Sequence, residues 1–311
     1  MIKFTRLLIV IILVLISTHG KVEAATLKTT GLSVSPAIEQ INLANHQTTA
    51  TFSSQVTNDT KYPVTVIVSV DDFTALNNSG GVAFINNNSL VDNSHGLAKS
   101  MVPAYTQFAL GPGETQTIPV SIDATNLAPG GHYGAILYKV IPTQLASRKN
   151  AISSNEEISS LVFLTTFNNG SQIVKLDKPS TRSLYFKMPT SIDLVFMNTG
   201  NTQTSPRGIV KVLNSKNKEI GRGIINIDSG LVLPDTSRLY VVSLRNEVGH
   251  VYPGTYHFQV SYRADNALTS TIYSKNFYFI NQPIIILVSI GLLGFIFFII
   301  RRSGRSAIFQ Y

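Results

Sequence analysis

The sequence predicts an all-β protein with two Ig-like (chaperone/fibronectin-like) β-sandwich domains in tandem. Three observations predict this fold: short segments of alternating apolar residues, frequent turn signals between them, and an internal repeat. Between Tyr62 and Phe73, valine recurs at every second position, which is typical of a strand with one buried face. Because the chain has no Cys and no Trp, we expect cores of Val, Ile, Leu, Phe and Tyr.

Other segments show the same alternation and are separated by Gly, Pro and Asn turns, as expected for two packed antiparallel sheets. They are residues 51–56, 117–122, 133–140, 192–196, 209–213, 220–227, 238–244 and 256–262. The apolar run from Leu161 to Phe167 is predicted to close the first domain. The turn at residues 168–170 is then the linker.

The internal repeat consists of three pairs of similar segments in the same order. The turn around Asn58 resembles the turn around Asn198, the segment at 110–114 resembles 233–235, and the segment at 128–130 resembles 252–254. The first pair is 140 positions apart and the other two are 122 and 124 apart, so the first copy has about 18 extra residues. We therefore expect one module used twice, with an insertion in the first copy.

The two ends of the chain predict segments outside these domains. Residues 1–24 begin with two basic residues, Lys3 and Arg6, and continue with a short apolar run and small residues before the predicted cleavage after Ala24, as in a secretory signal peptide. Residues 284–300 are uncharged and apolar, which predicts one C-terminal transmembrane helix. Arg301, Arg302 and Arg305 flank it and predict a cytoplasmic basic tail at 301–311.

These segments divide the chain and predict its location. The first domain is predicted at 25–170 and the second at 171–280, both outside a cell membrane that the chain crosses once. The first has a net charge of −3, whereas residues 171–283 have 13 basic and 7 acidic residues, a net charge of +6. The basic residues are scattered rather than clustered with aromatic residues, so no nucleic-acid partner is expected.

Patterns for catalysis and for metals are incomplete throughout the sequence. Gly31 to Ser35 only approximates a nucleophile elbow, and Ser215 to Lys218 has the spacing of a catalytic Ser-Lys pair but lies in a predicted hairpin. The segment Leu233 to Ser237 resembles a sortase signal but matches the turn of the first copy. No histidine lies in an HExxH motif or in a close cluster with Asp. We therefore expect no enzyme activity, no metal and no cofactor.

The segment 71–103 is the least regular part of the exported region and is predicted to be a polar insertion. Binding residues often lie in loops held by a rigid scaffold. The candidate ligand-binding residues are Asp72, Phe73, Phe84, Asn86 and His95, which offer hydrogen bonds and rings for stacking. The alternative is that both phenylalanines are buried and fix the loop, and that the polar residues are only solvated.

Three segments carry a resemblance to the WxL-interacting protein family of bacterial cell surfaces. They are GLSVSPAIEQ at 31–40, LGPGETQTIPVSI at 110–122 and PGGHYGAILY at 129–138. A second sandwich, a membrane span and an Arg-rich tail follow in the family's order. The resemblance implies peptidoglycan binding by the first domain and attachment to a host or partner by the second.

These observations leave two functions open and disfavour a third. The main expectation is a membrane-anchored extracellular binding or scaffold protein that engages cell-wall glycan (peptidoglycan) or another surface protein. The alternative is a chaperone-like assembly protein that accepts a client strand on an exposed sheet edge, because the long strands have few edge-protecting Lys or Pro residues. An exported hydrolase would need a clustered nucleophile and base, and the sequence offers none.

Overall fold

A computed structural model describes residues 31–85, 94–142, 157–166, 170–177, 179, 181–247, 249–281 and 288–299. Its strands form two β-sandwiches, which confirms the predicted all-β fold. The predicted signal peptide at 1–24, the candidate residue Asn86, and the tail residues Arg301, Arg302 and Arg305 lie outside the described residues.

The first sandwich contains ten strands and one turn of 3-10 helix. The strands are β1 (Leu32–Ser35), β2 (Ile38–Asn42), β3 (Thr49–Asn58), β4 (Val64–Leu76), β5 (Gly81–Ile85), β6 (Met101–Pro103), β7 (Gln107–Leu110), β8 (Thr115–Asp123), β9 (Gly131–Pro142) and β10 (Glu157–Thr165), with the 3-10 turn at Ala98–Ser100. One sheet has the order β1-β3-β8-β6, and the other has the order β2-β10-β9-β4-β5, with β7 also paired to β4. All pairs are antiparallel except β2 with β10.

The second sandwich contains nine strands. They are β11 (Val174–Leu176), β12 (Leu184–Tyr185), β13 (Ser191–Asn198), β14 (Arg207–Asn214), β15 (Glu219–Ile225), β16 (Ser237–Ser243), β17 (Arg245–Asn246), β18 (Gly254–Arg263) and β19 (Thr271–Phe279). Its sheets have the orders β11-β13-β16 and β12-β19-β18-β14-β15-β17. Here too one pair, β12 with β19, is parallel.

The sheet orders confirm the predicted repeat. The order β1-β3-β8 corresponds to β11-β13-β16, and β2-β10-β9-β4-β5 corresponds to β12-β19-β18-β14-β15. In each copy the first strand lies in one sheet, and the second strand lies in the other sheet and pairs in parallel with the last strand of its sandwich. The first copy has β6 and β7 in addition, and both come from the chain between β5 and β8.

A buried asparagine holds the first copy together at the end of β3. Asn58 is fully buried, and its side-chain amide donates hydrogen bonds to the carbonyl oxygens of Tyr62 (2.8 Å), Leu110 (3.2 Å) and Gly111 (3.0 Å). Its Oδ1 accepts the N–H of Thr60 at 3.0 Å. One side chain therefore hydrogen-bonds to backbone groups in two turns. These bonds also give the buried amide the partners that a polar group away from water needs.

Asn198 has the same role at the end of β13 in the second copy. It is also fully buried, and its amide donates to the carbonyl oxygens of Thr202 (2.8 Å) and Val232 (3.0 Å). Its Oδ1 accepts the N–H of Gly200 at 2.8 Å. The sequence similarity between the two asparagine turns thus reflects one shared hydrogen-bonding device.

Both copies also have a similar turn packed against this asparagine, before β8 in the first copy and before β16 in the second. The N–H of Gly113 donates to the carbonyl of Asn58 at 2.8 Å, and the N–H of Asp235 donates to the carbonyl of Asn198 at 3.0 Å. Both donors have a positive φ, 71° for Gly113 and 56° for Asp235. Glycine and aspartate adopt this backbone more readily than most residues, which explains why they occupy these positions.

The third repeated segment is a turn in which a side chain hydrogen-bonds to the carbonyl oxygen of the residue four positions earlier. The hydroxyl of Tyr256 donates a hydrogen bond to the carbonyl of Tyr252 at 2.5 Å. In the first copy the ring Nε2 of His132 lies 2.8 Å from the carbonyl oxygen of Ala128. A tyrosine at this corner is a recurrent feature of immunoglobulin-like sandwiches, and histidine replaces it in the first copy.

The segment predicted to be an irregular insertion is more regular than expected. Strand β4 continues to Leu76, and the turn at residues 77–80 leads directly into β5. Asn77 and Gly80 have φ angles of 50° and 84°, and the Asn77 side chain accepts the N–H of Ser79 at 2.9 Å. These turn residues close a hairpin that simple alternation did not reveal.

The C-terminal prediction is corrected by the structure. Of the predicted span, the structure describes residues 288–299, which form an exposed helix. Within the part of the chain that is described, no helix is both long and apolar enough to cross a membrane. The predictions of a transmembrane helix at 284–300 and of a single-pass location at the cell membrane with residues 25–280 outside are therefore corrected.

The asparagine devices lead to a stability prediction. Asn58→Ala and Asn198→Ala should each lower the free energy of unfolding by about 2–4 kcal/mol, because buried carbonyl groups lose their donors. Urea unfolding followed by circular dichroism measures this effect. Thr51→Ala, at an exposed position of β3, serves as the control. Asparagine variants as stable as this control would contradict the prediction.

Candidate functional site

The side chain of Asp72 is buried inside the first sandwich and bonded to its backbone. Its Oδ1 accepts the backbone N–H groups of Leu97 and Ala98, both at 2.7 Å, and the side chain is buried. The carboxylate therefore ties the returning chain to β4 at the start of the 3-10 turn. The neighbouring predicted residue His95 has a related role: its Nδ1 lies 2.7 Å from the carbonyl oxygen of Gly131.

Phe73 lies in an aromatic cluster on the outer face of the β9 sheet. It is 1% exposed, and its ring centroid is 5.9 Å from that of Tyr133 and 5.3 Å from that of Phe163. Leu233 of the second sandwich completes the same buried cluster. Phe84 is opposite Phe73 on β5 but is 41% exposed.

The structure thus brings Asp72, Phe73 and His95 into one region. Their side chains make hydrogen bonds or ring contacts with other residues of the protein there. Phe84 is exposed nearby, and Asn86 lies outside the described residues. Ligand binding by these five residues stays a prediction.

Direct hydrogen bonds join the two sandwiches beside the aromatic cluster. The Tyr133 hydroxyl donates to Oε1 of Gln203 at 2.9 Å, and Nε2 of Gln203 donates to the Thr165 hydroxyl at 3.1 Å. The N–H of Gly131 donates to the carbonyl of Asn201 at 2.8 Å. Burial raises the pKa of the Tyr133 hydroxyl, so this group stays protonated and remains a donor.

Next to this interface lies a cleft of about 320 Å³ between the two sandwiches. Most of its lining is apolar. The apolar side chains are Ile38, Phe73, Ala75, Val82, Leu161 and Phe163 from the first sandwich, and Leu231 and Leu233 from the second. A cleft of this kind favours apolar groups of a binding partner.

Arg238 is the basic side chain of this cleft. Its guanidinium donates to the carbonyl of Leu231 at 3.0 Å and lies 5.6 Å from the centroid of the Tyr240 ring. Gly80 and Gly230 approach it so closely that a Cβ would lie 2.5 Å and 2.7 Å from its central carbon. Arg238 forms no ion pair with any carboxylate among the residues that the structure describes.

Strand β2 has an open edge beside the cleft. Its hydrogen bonds to β10 include Leu161 N–H to the carbonyl of Ala37 (2.9 Å) and Leu43 N–H to the carbonyl of Thr165 (2.9 Å). Since alternate residues of a strand face the same neighbour, Ile38, Gln40 and Asn42 direct their backbone groups away from β10. In the described part of the chain, no other strand pairs with β2.

This edge and the cleft are one continuous surface, because the side chains of Ile38 and Gln40 also line the cleft. Neither residue was predicted as a site residue from the sequence, nor were Tyr133, Gln203 and Arg238. No local pattern marks them: each acquires its place through the contact between the two sandwiches.

A separate ion-pair cluster lies on β14 and β15. Oε1 of Glu219 is 2.6 Å from Nε of Arg222, and Oε2 is 3.0 Å from Nζ of Lys211. The hydrogen bond from Arg222, together with that from Lys211, lowers the pKa of the Glu219 carboxyl to about 2. Among the described residues, no group of three or more potential metal ligands lies together.

No family model and no curated protein sequence matches the chain. Among solved structures, the class 5 fimbriae chaperone CfaA is similar over 79% of this chain and 99% of its own, with 10% identity and a TM-score of 0.42. The E. coli chaperone DraB is similar over 80% and 97%, with 13% identity and a TM-score of 0.38. A complex of the Salmonella enterica SafA pilin with the SafB chaperone matches over 80% and 96%, with 11% identity and a TM-score of 0.38. These scores are too low to carry an argument about function.

The main expectation from the sequence finds no support in these comparisons or in the described helix. The three solved structures named above are described as chaperones, and among the described residues no helix is long and apolar enough to span a membrane. The expectation of a membrane-anchored protein that binds peptidoglycan is therefore corrected. The resemblance to the WxL-interacting proteins stays a prediction.

The interface between the sandwiches leads to a second stability prediction. Tyr133→Phe should lower the free energy of unfolding by about 1–2 kcal/mol, because Oε1 of the buried Gln203 loses its donor. Thermal unfolding measures the change, with Tyr278→Phe as the control at an exposed tyrosine. The prediction fails if the two variants are equally stable.

The Glu219 cluster leads to a pH prediction. Because the folded pKa is lowered, the carboxylate stabilises the fold above pH ~4.5, and this contribution disappears as the pH falls towards ~2. The melting temperature of Glu219→Gln should therefore lie below that of the wild type at pH 7 and approach it at pH ~2. Asp193→Asn, at an exposed site, is the control. A difference between Glu219→Gln and wild type that does not change with pH would argue against this account.

Proposed function

We propose that this protein is a chaperone-like assembly protein that binds an extended segment of a client protein along β2. The observation that carries the proposal is the open edge of β2 beside the apolar cleft. Such an edge is a template for a further strand, and strand addition is a common way to bind an extended peptide.

The backbone of β2 supports a polypeptide partner. Ile38, Gln40 and Asn42 each offer one N–H and one C=O on the open side, at the two-residue period of a strand. A second polypeptide strand matches this alternation of donors and acceptors along its whole length. An added strand would extend the sheet β2-β10-β9-β4-β5 by one member.

The cleft supports selection of particular side chains. Residues on an added strand that point to the same face as Ile38 and Gln40 would enter the space lined by Phe73 and Phe163. Apolar side chains at alternate positions of the client would therefore be favoured, and burial of one such side chain contributes roughly 1.5–3 kcal/mol. The predicted signal peptide is consistent with a client that is itself exported.

The test removes one hydrogen-bond donor from the open edge. Gln40→Pro deletes an N–H that points away from β10, so the strand can keep its ladder. Gln40→Thr keeps the N–H and is the matched control. The probe is a fluorescein-labelled nine-residue peptide that alternates Val and Thr, and its binding to the full-length chain is measured by fluorescence anisotropy.

We expect wild type and Gln40→Thr to bind this peptide and Gln40→Pro to bind it about tenfold more weakly, since one backbone hydrogen bond is lost. A peptide N-methylated at every residue, which lacks all of its backbone donors on both edges, should not bind. Equal binding by both variants, or binding of the methylated peptide, would refute strand addition at β2.

A further inference from the structure

The two copies of the module differ at one sheet edge. In the first sandwich, β8 is covered by β6, with Met101 opposite Ile122 and Pro103 opposite Val120. The N–H of Ala104 also donates to the carbonyl of Pro119 at 2.8 Å. In the second sandwich, β16 corresponds to β8, but within the described chain it pairs with β13 alone.

The direction of the β16 backbone follows from its hydrogen bonds. The N–H of Leu244 donates to the carbonyl of Thr190 at 2.8 Å, which is the side of β13. Alternate residues therefore face the other way, so Leu239, Val241 and Ser243 direct their backbone groups towards the open edge.

Part of this edge is already occupied by the chain itself. The N–H of Leu239 donates to the carbonyl of Asn78, in the β4–β5 turn, at 2.8 Å. At the other end, β15 approaches so closely that a Cβ on Gly223 would lie 2.5 Å from the carbonyl oxygen of Ser243. Two residues keep open groups among the described residues: no other described backbone group bonds to the carbonyl of Leu239 or to either backbone group of Val241. This is a short edge, but β6 itself pairs over only three residues.

Val241 and Pro119 occupy the same place in the repeat, 122 positions apart, as do the turns that precede them. Proline has no N–H, and edge strands use it to prevent further pairing. The first sandwich thus has both a proline and a covering strand at this edge. The second has a valine whose side chain is 64% exposed.

The surroundings of the open edge indicate what fits there. A groove of about 880 Å³ runs between β15 and β16, and Ile224 (59% exposed), Ile227 (74% exposed) and Val241 line it. Its charged lining residues are Arg222, Asp228, Arg238, Arg245 and Glu247, and residues 171–283 as a whole have a net charge of +6. Apolar side chains combined with acidic ones complement this surface.

We infer that β16 is a second docking edge, which binds a short extended segment of a partner protein with alternating apolar and acidic residues. The segment runs antiparallel to β16, as β6 runs antiparallel to β8. This site is separate from β2 and does not depend on the function proposed above.

The test uses full-length protein and two labelled nine-residue peptides, one alternating Val and Glu and the other alternating Val and Lys. We expect the acidic peptide to bind at least about tenfold more tightly than the basic one. Val241→Pro should weaken binding of the acidic peptide about tenfold, whereas Val241→Thr should leave it within about twofold. Gln40→Pro should leave the preference for the acidic over the basic peptide unchanged, whereas Val241→Pro should abolish it, which separates this site from the one on β2.

A second variant keeps the test informative if Val241→Pro does not fold. Arg245→Glu changes an exposed charge of the groove and should weaken binding of the acidic peptide at least about threefold. The inference is overturned if the basic peptide binds equally well or if neither variant changes binding. It is also overturned if sedimentation shows a dimer that Val241→Pro dissociates, because the occupant would then be a second copy of this chain.

Discussion

The two sandwiches depend on a buried asparagine amide at the end of β3 and of β13, the third strand of each copy. Asn58 and Asn198 have no contact with solvent, so all of their hydrogen bonds are made to the protein. Each joins its own turn to the turn that begins at residue 110 or 232, far away in sequence. This one amide fixes where the following strand enters its sheet, and the register of β8 and β16 follows from it.

The outer face of the first sandwich is the second constraint. Sheets of this kind usually turn one face to the core and one to water. Here the face that carries Phe73, Tyr133 and Phe163 is covered in part by the second sandwich, through Leu233. The uncovered remainder forms the cleft with Arg238 at its side. The interface and the proposed binding surface are therefore two parts of one apolar face.

Duplication of the module also explains why the two edges differ. The extra residues of the first copy supply β6, which covers β8. Among the described strands, no counterpart of β6 covers β16 in the second copy, so β16 pairs with β13 alone. The tip of the β4–β5 hairpin, which both copies have in common, reaches one end of this edge, and β15 approaches the other end.

The all-β fold, the two sandwiches and the repeat could be predicted from the sequence, because period-two alternation and turn residues are local signals. It did not determine strand ends: the strand predicted at 220–227 stops at Ile225, where Asn226 turns with a φ of 55°. The burial of Phe73, the hydrogen bond between Gln203 and Tyr133, and the identity of the open edges became known from the three-dimensional structure. The physical reason is that burial and strand pairing depend on neighbours distant in sequence, whereas alternation records only that one face of a strand is covered.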